Sequence, residues 1–195
     1  MAKSPRAGRI KQRLAASVGV VSAARFYRIC LAHTLLRLGR DPRWQTLLAV
    51  SPDVDVSAPL WPRGVERVPQ GKGDLAVRMQ RLFRRLPPGP AIIVGSDIPA
   101  ISPSDIARAF RLLGNGDAVF GRAADGGYWL VGLRRTPRVL APFTNVRWSG
   151  PHALADTLRN LNGRRVAFAA TLSDVDREED YRRLRENWER LIPPR

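Results

Sequence analysis

A short apolar run that ends on a carboxylate constrains the fold of this chain more than any other feature. Residues 91–94 read Ala-Ile-Ile-Val, and Gly95-Ser96-Asp97 follows at once. Such an uninterrupted run predicts a strand that is buried on both faces. In open α/β sheets ligands bind at the carboxyl ends of strands, where a carboxylate can hold a divalent metal against a phosphate. The run therefore predicts an α/β protein with Asp97 at its site.

Helical and strand patterns alternate along the 195 residues. The strand patterns lie at 47–50, 91–94 and 166–169, and the helical stripes at 23–38, 75–86, 102–113, 149–161 and 176–191. Ser102-Pro103-Ser104-Asp105 is a helix start with Pro at the first helical position. Clusters of Pro and Gly separate these segments, and no linker or repeat interrupts them. The alternation predicts a single three-layer α/β/α domain over residues 1–195, with a mixed but mainly parallel sheet.

The segment around Asp125 has two interpretations. Val119-Phe120 and Trp129-Leu130-Val131 are strand patterns that flank Asp125-Gly126-Gly127. They are either the two arms of a hairpin or neighbouring strands. A D-G pair is typical of a tight turn, whereas a carboxylate at a strand end is also a candidate for a site. Asp125 therefore remains a candidate for both roles.

The charge of the chain is strongly unbalanced. It carries 33 Lys and Arg against 17 Asp and Glu, a formal net charge of +16. Such a field attracts nucleotides, nucleic acid or acidic membrane surfaces, although solvated Arg on helix faces, such as Arg81, Arg84 and Arg85, accounts for most of it. A non-catalytic anion- or nucleic-acid-binding protein is therefore the lesser alternative to an enzyme. We do not expect nucleic acid as a partner, because the sequence contains no aromatic-basic strand motif and no recognition helix. No run reaches the ~18 apolar residues of a membrane span.

The cysteine and aromatic content bear on the cellular location and the oligomeric state of the chain. Cys30 is its single cysteine, which allows no internal disulfide and favours a cytoplasmic location. The aromatic content is compatible with a homodimer.

A basic segment opens the chain. Its cationic residues are Lys3, Arg6, Arg9, Lys11 and Arg13, and Gly8 lies among them. A phosphate cradle needs glycine for close backbone approach and Lys or Arg as donors. The segment is therefore either a phosphate-binding loop or a solvated basic stretch.

Six sequence blocks together carry a family resemblance. They are residues 2–15, 70–75, 95–99, 125–133, 146–149 and 174–176. In content and order they resemble a family of bacterial glycosyltransferase-like proteins, formerly a domain of unknown function. The resemblance implies the fold of type A glycosyltransferases and of the nucleotidyltransferases that guanylylate molybdenum cofactor. Relatives carry an apolar strand just before Ala2-Lys3, so we expect the first strand to be truncated at Met1.

The resemblance also implies roles for individual residues. The residues expected to bind the nucleotide are Lys3, Arg6, Gly8, Lys11, Arg13, Gln70, Gly71 and Asp74. The expected ligands of Mg²⁺ or Mn²⁺ are Asp97, Asp174 and Asp176, and the expected catalytic residues are Asp97, Asp125 and Lys11. The residues expected to bind the acceptor are Asp125, Gly126, Gly127, Trp148 and Ser149. Helix capping explains Asp74 and Asp176 equally well.

Two transfer reactions fit these residues. In a glycosyltransferase an acceptor attacks the anomeric carbon of a nucleotide sugar, and a nucleoside diphosphate leaves. In a nucleotidyltransferase an acceptor phosphate attacks the α-phosphorus of a triphosphate, and pyrophosphate leaves. The family resemblance favours the first reaction and the cationic segment favours the second. Either donor would be paired with a small-molecule acceptor that the sequence does not identify.

Overall fold

A computed structural model describes residues 1–175 and 178–186 of the chain. In chain order its elements are β1 (Ala2–Lys3), α1 (Gln12–Val18), α2 (Val20–Leu38), β2 (Leu47–Ser51), a 3-10 helix (Asp53–Asp55), β3 (Glu66–Pro69), α3 (Leu75–Arg85), β4 (Ala91–Val94), α4 (Pro103–Asn115), β5 (Ala118–Arg122), β6 (Tyr128–Leu133), α5 (Ala153–Arg159), β7 (Val166–Phe168) and α6 (Glu178–Glu186).

These elements form two compact units. The first unit consists of Met1–Pro69, Ser96–Ile101 and the described part of Asp174–Arg195. The second consists of Gln70–Gly95 and Ser102–Ser173. The segment 96–101, which carries Asp97, thus belongs to the first unit although both of its flanks belong to the second.

The first unit is built on a three-stranded parallel sheet in the order β1-β2-β3. Ala2 of β1 pairs with Val50 of β2, and Lys3 pairs with Ser51. The apolar face of α2 covers this sheet and contributes Tyr27 and Leu31 to a buried cluster with Val50. Burial of this apolar surface is the main force that holds α2 and the sheet together.

The opposite side of α2 is also buried. Phe26 and Cys30 pack in a cluster with Leu14 of α1, Val175 and Leu184 of α6. Since α2 is apolar on both sides, it is the central helix of the first unit.

The second unit contains a four-stranded sheet in the order β4-β6-β5-β7. Strand β6 runs antiparallel to both β4 and β5, whereas β7 is parallel to β5. The segments on either side of Asp125 therefore form a hairpin, which decides between the two interpretations left open by the sequence. Phe120, Leu130 and Leu113 of α4 are fully buried in its core.

Strand β4 departs from the sequence-based expectation. It lies at the edge of the four-stranded sheet, and only Ala91 is buried, whereas Ile92, Ile93 and Val94 are half-buried. The expectation of burial on both faces was wrong for these three residues. An unbroken apolar run cannot by itself distinguish a central strand from an edge strand.

Two helix starts match their sequence signals. The Asp74 carboxylate accepts a hydrogen bond from the Val77 amide at the start of α3. At the start of α4, Ser102 and Asp105 form a reciprocal capping box, with Pro103 as the first helical residue. Capping is thus part of what Asp74 does.

The predicted α/β class is confirmed. Helices and strands alternate, and within the described residues three of the five strand pairings are parallel. The single-domain organisation and the truncated first strand stay predictions. No helix in the described part of the chain has the length and apolarity that a membrane crossing needs.

Candidate functional site

The first unit brings three predicted site residues together. The Lys11 ammonium lies 2.6 Å from the Asp97 carboxylate and 4.0 Å from that of Asp174. The Lys11 side chain is only 6% exposed, whereas Asp97 is 27% and Asp174 37% exposed. One cation therefore contacts two carboxylates that both open to solvent.

Local backbone geometry holds this cluster, which we call the Lys11–Asp97–Asp174 site. Lys11 is the N-cap of α1 and has a left-handed backbone with φ of 47°. This conformation is uncommon for a residue other than glycine, and it is often found at functional sites. The Val175 amide donates a hydrogen bond to the Asp97 carbonyl oxygen over 3.4 Å, which brings the segment of Asp174 to that of Asp97.

A buried tyrosine that the sequence analysis did not single out ties this site to β1. The Tyr27 hydroxyl lies 2.9 Å from the Ser96 hydroxyl. It accepts a hydrogen bond from the Lys3 amide over 3.0 Å and donates one to the Lys3 carbonyl over 3.1 Å. Burial raises the pKa of Tyr27 above its ordinary value, so the hydroxyl stays protonated. The one available signal was a hydroxyl group on an otherwise apolar helix stripe.

The basic segment contains a second ion pair. Arg6 binds Asp55 with two nitrogens, over 2.6 and 3.1 Å, and Ser4 donates a hydrogen bond to the same carboxylate. The Arg6 guanidinium, followed by the Ser4 hydroxyl, holds the pKa of Asp55 below its usual range. Gly8 has a φ of 77° and open space where a Cβ would lie. Lys3 and Arg13 are exposed.

The predicted nucleotide residues of the second unit surround an arginine of α3. The Arg81 guanidinium donates hydrogen bonds to the carbonyls of Gln70 and Lys72, both over 2.8 Å. A Cβ on Gly71 would lie 2.3 Å from an Arg81 nitrogen, and Gly71 has a φ of 79°. The backbone conformation therefore favours glycine, and a side chain there would also displace the Arg81 guanidinium.

The Asp125 segment is the turn of the β5–β6 hairpin. The Asp125 carboxylate accepts a hydrogen bond from the Gly127 amide over 2.9 Å, which is a local turn contact. Gly126 has a φ of 85°, and a Cβ there would lie 2.5 Å from the Pro151 carbonyl oxygen. Its own carbonyl accepts from the Leu154 amide at the start of α5. Asp125 is exposed, so the turn contact leaves it accessible to a ligand.

Trp148 and Ser149 lie before α5. Trp148 is half-buried, with its ring 6.3 Å from that of Tyr128 and 6.4 Å from that of Phe143. Ser149 is exposed and has a φ of 62°. The preceding Arg147 binds the buried carboxylate of Asp156 through its amide and two guanidinium nitrogens. These contacts hold the backbone next to Trp148 in place.

The Lys11–Asp97–Asp174 site suits a hard divalent cation. Within the described ranges no group of three or more His, Cys, Asp or Glu side chains is arranged to hold a metal, and Asp176 lies outside the described residues. Magnesium-type sites beside a phosphate need only one or two carboxylates, because phosphate and water oxygens complete the shell. Asp97 and Asp174 could supply two such carboxylates, and both contact the Lys11 ammonium.

One protein family matches more than half of the chain. The family described as "Uncharacterized protein conserved in bacteria (DUF2064)" matches residues 34–150. A search of the curated proteins found no match.

Solved structures share the fold over nearly the whole chain. A "putative nucleotide-diphospho-sugar transferase" from Desulfovibrio desulfuricans G20 superposes with a TM-score of 0.79 at 25% identity, covering 97% of this chain and 94% of that one. Rv0371c from Mycobacterium tuberculosis H37Rv gives 0.58 at 20% identity, with coverages of 95% and 93%. Its complex with manganese gives 0.53 at 20% identity, with coverages of 92% and 94%.

Proposed function

We propose that this chain, which belongs to the DUF2064 family, is a metal-dependent transferase that uses a nucleotide-sugar donor. The observation that carries the proposal is the contact of Lys11 with the Asp97 and Asp174 carboxylates. The similarity to a structure described as a "putative nucleotide-diphospho-sugar transferase" supports the choice of donor. The manganese complex of Rv0371c supports the choice of a divalent cation.

Asp97 and Asp174 would hold the cation, which is Mg²⁺ or Mn²⁺, and Asp176 would be a third ligand. When bound, such a cation neutralises the charge that develops on the leaving diphosphate. Lys11 would exchange its contact with Asp97 for one with a phosphate oxygen, since an ammonium is a strong hydrogen-bond donor to phosphate. The buried Lys11 stem limits the positions that its ammonium can reach.

The other residues singled out by the sequence would bind the donor and the acceptor. Lys3, Arg6, Gly8 and Arg13 would face the phosphates, although Arg6 must then share its charge with Asp55. Gln70, Gly71 and Asp74 would line the nucleoside side of the donor. The residues that would contact the acceptor are Asp125, Gly126, Gly127, Trp148 and Ser149.

Nucleotidyl transfer is the second candidate, and the basic segment favours it. Lys3, Gly8 and Arg13 of this segment are exposed, and Gly8 has a φ of 77° with open space where a Cβ would lie. A triphosphate carries more charge than a nucleotide sugar and would make better use of such a segment.

A ligand screen separates the two reactions. Thermal unfolding would be measured with nucleoside triphosphates and with nucleotide sugars, each with and without Mn²⁺. Stabilisation by nucleotide sugars in the presence of Mn²⁺ is the expected result, because a ligand that binds only the folded state raises its stability. Stabilisation by triphosphates alone would contradict the glycosyl version of the proposal.

Asp97→Asn tests the metal role directly. The variant should lose the Mn²⁺-dependent part of the stabilisation, because an amide oxygen is a much weaker ligand than a carboxylate. Asp41→Asn is the matched control, since Asp41 also forms a 2.6 Å ion pair, with Arg43, in the same unit. Unchanged Mn²⁺ dependence in Asp97→Asn would remove Asp97 from the proposed role.

A further inference from the structure

A groove in the second unit has a chemistry that the proposed transfer reaction does not require. It has a volume of about 670 Å³ and lies between one side of α3 and the segment 141–148. Cavities of about 300–1,000 Å³ are the usual size for small organic ligands. The groove is therefore large enough for a ligand of that class.

One wall of the groove is cationic. Arg81, Arg84 and Arg85 of α3 line it, and Asp74 is the one acidic residue among its lining residues. The Asp74 carboxylate already caps the Val77 amide. Arg84 and Arg85 are exposed, and their guanidinium groups make no hydrogen bond or ion pair with the described residues. Two guanidinium groups thus remain available to an anion.

The other wall is aromatic and firmly held. Phe143 is buried and stacks on Phe83 with the ring centres 6.0 Å apart. The ring centre of Trp148 lies 6.4 Å from that of Phe143, and Trp148 is half-buried and lines the groove. Because these rings are held by the core, a planar ligand could stack on them without the cost of ordering their side chains.

A buried acceptor between the walls lacks a partner. Gln80 lines the groove, and its amide nitrogen donates to the Leu140 carbonyl over 3.0 Å. Its side-chain oxygen is buried and accepts no hydrogen bond from the described residues. Buried acceptors are almost always satisfied in folded proteins, so this oxygen points to a missing donor such as a ligand hydroxyl.

We infer that this groove binds an organic phosphate with a flat apolar ring. The phosphate would pair with Arg84 and Arg85, because guanidinium groups bind phosphate through two parallel hydrogen bonds. The ring would pack on Trp148 and Phe143, and a hydroxyl would satisfy Gln80. The proposed function assigns two lining residues of this groove, Trp148 to the acceptor and Asp74 to the nucleoside side of the donor, but the binding inferred here does not depend on any transfer reaction.

Calorimetric titration with phenyl phosphate, without nucleotide or metal, tests this inference. Phenyl phosphate should bind about tenfold more tightly than inorganic phosphate or phenol, because only it engages both walls. Benzoate should bind more weakly, since it carries one charge instead of two. No binding of phenyl phosphate, or equally tight binding of benzoate or phenol, would overturn the assignment.

Matched charge variants locate the site. Arg84→Gln/Arg85→Gln should weaken phenyl phosphate binding about tenfold. The control Arg108→Gln/Arg111→Gln removes the same charge from exposed positions of α4 in the same unit and should change binding less than about twofold. Thr144→Glu adds a negative charge on the opposite wall at an exposed position and should also weaken binding. Equal losses in the two double variants would show non-specific attraction and overturn the proposal.

Discussion

The Lys11 ammonium lies 2.6 Å from the Asp97 carboxylate, so a positive charge already occupies the place where the proposed function needs a divalent cation. The ammonium neutralises Asp97 and lies 4.0 Å from Asp174. Under the proposed function a metal ion and Lys11 would therefore compete for the same carboxylate, whereas a bound phosphate would draw Lys11 away from it. A substitution of Lys11 should therefore change the affinity for metal and the affinity for nucleotide in opposite directions.

Lys11→Met should raise the affinity for Mn²⁺ in the absence of nucleotide and lower the affinity for the nucleotide donor, each by about tenfold. The first effect follows because Asp97 loses its internal cation, and the second because the phosphate loses a donor. Manganese titrations with and without nucleotide measure both effects. Arg40→Met is the control, because Arg40 is an exposed cation of the first unit that has no role in the proposed function. A fall in both affinities would argue against competition between Lys11 and the metal.

Tyr27→Phe should lower the free energy of unfolding by about 1–2 kcal/mol, because the Lys3 amide and the Ser96 hydroxyl lose a buried partner. Tyr181→Phe is the control in the same unit. Tyr181 packs edge-on against Phe26, and its hydroxyl makes no hydrogen bond with the described residues, so its removal should cost less than about 0.5 kcal/mol. Denaturant unfolding gives both values, and equal effects would contradict the role assigned to Tyr27.

Asp156 should make stability depend on pH in the acid range. The Arg147 side chain, with the Arg147 amide and Arg159, holds the pKa of Asp156 far below its ordinary value. A carboxyl whose pKa is lowered on folding stabilises the protein above its unfolded pKa of about 4. That contribution is lost as the pH falls below this value towards the folded pKa.

Asp156→Asn should therefore unfold at a lower temperature than the parent at pH 7, and the difference should shrink as the pH falls below about 4. Thermal unfolding followed by circular dichroism across this range provides the measurement. Glu178→Gln breaks only an exposed pair with Arg182 and should leave the acid dependence unchanged. A constant difference at every pH would mean that Asp156 stabilises the fold by some other means.

Gly126→Ala should lower the free energy of unfolding by about 1–3 kcal/mol. The new methyl group would meet the Pro151 carbonyl at 2.5 Å, and alanine disfavours a φ of 85°. Gly150→Ala is the control, because a Cβ there has no neighbour within 4 Å, and its effect should stay within about 0.5 kcal/mol. If both variants unfold alike, the contact between the hairpin turn and Pro151 does not constrain the fold.

The sequence predicted local features well, because each depends on neighbours along the chain. Ser102 and Asp105 cap α4 as their spacing indicates, and Asp74 caps α3. The apolar run also predicted the strand at 91–94, but it did not predict that this strand lies at the edge of its sheet. Edge and central strands share the same local pattern, and the difference lies in which strands pair.

The candidate site also combines features that the sequence predicts with contacts that only the fold decides. The sequence identified Lys11, Asp97 and Asp174 by residue type and by resemblance, but the contact of one ammonium with both carboxylates requires three distant segments to meet. Tyr27 was missed because a tyrosine on an apolar helix stripe resembles any other core residue.

What the sequence alone determined is the α/β class and the chemistry of its carboxylates, since periodicity and residue type are properties of the local chain. What only the tertiary structure decided is which charges are neutralised. It pairs Arg6 with Asp55 and Arg147 with Asp156, while Arg84 and Arg85 keep their charge in a groove beside two aromatic rings. Charge pairing depends on distances of a few ångströms between remote segments, and these distances arise only when the chain has folded.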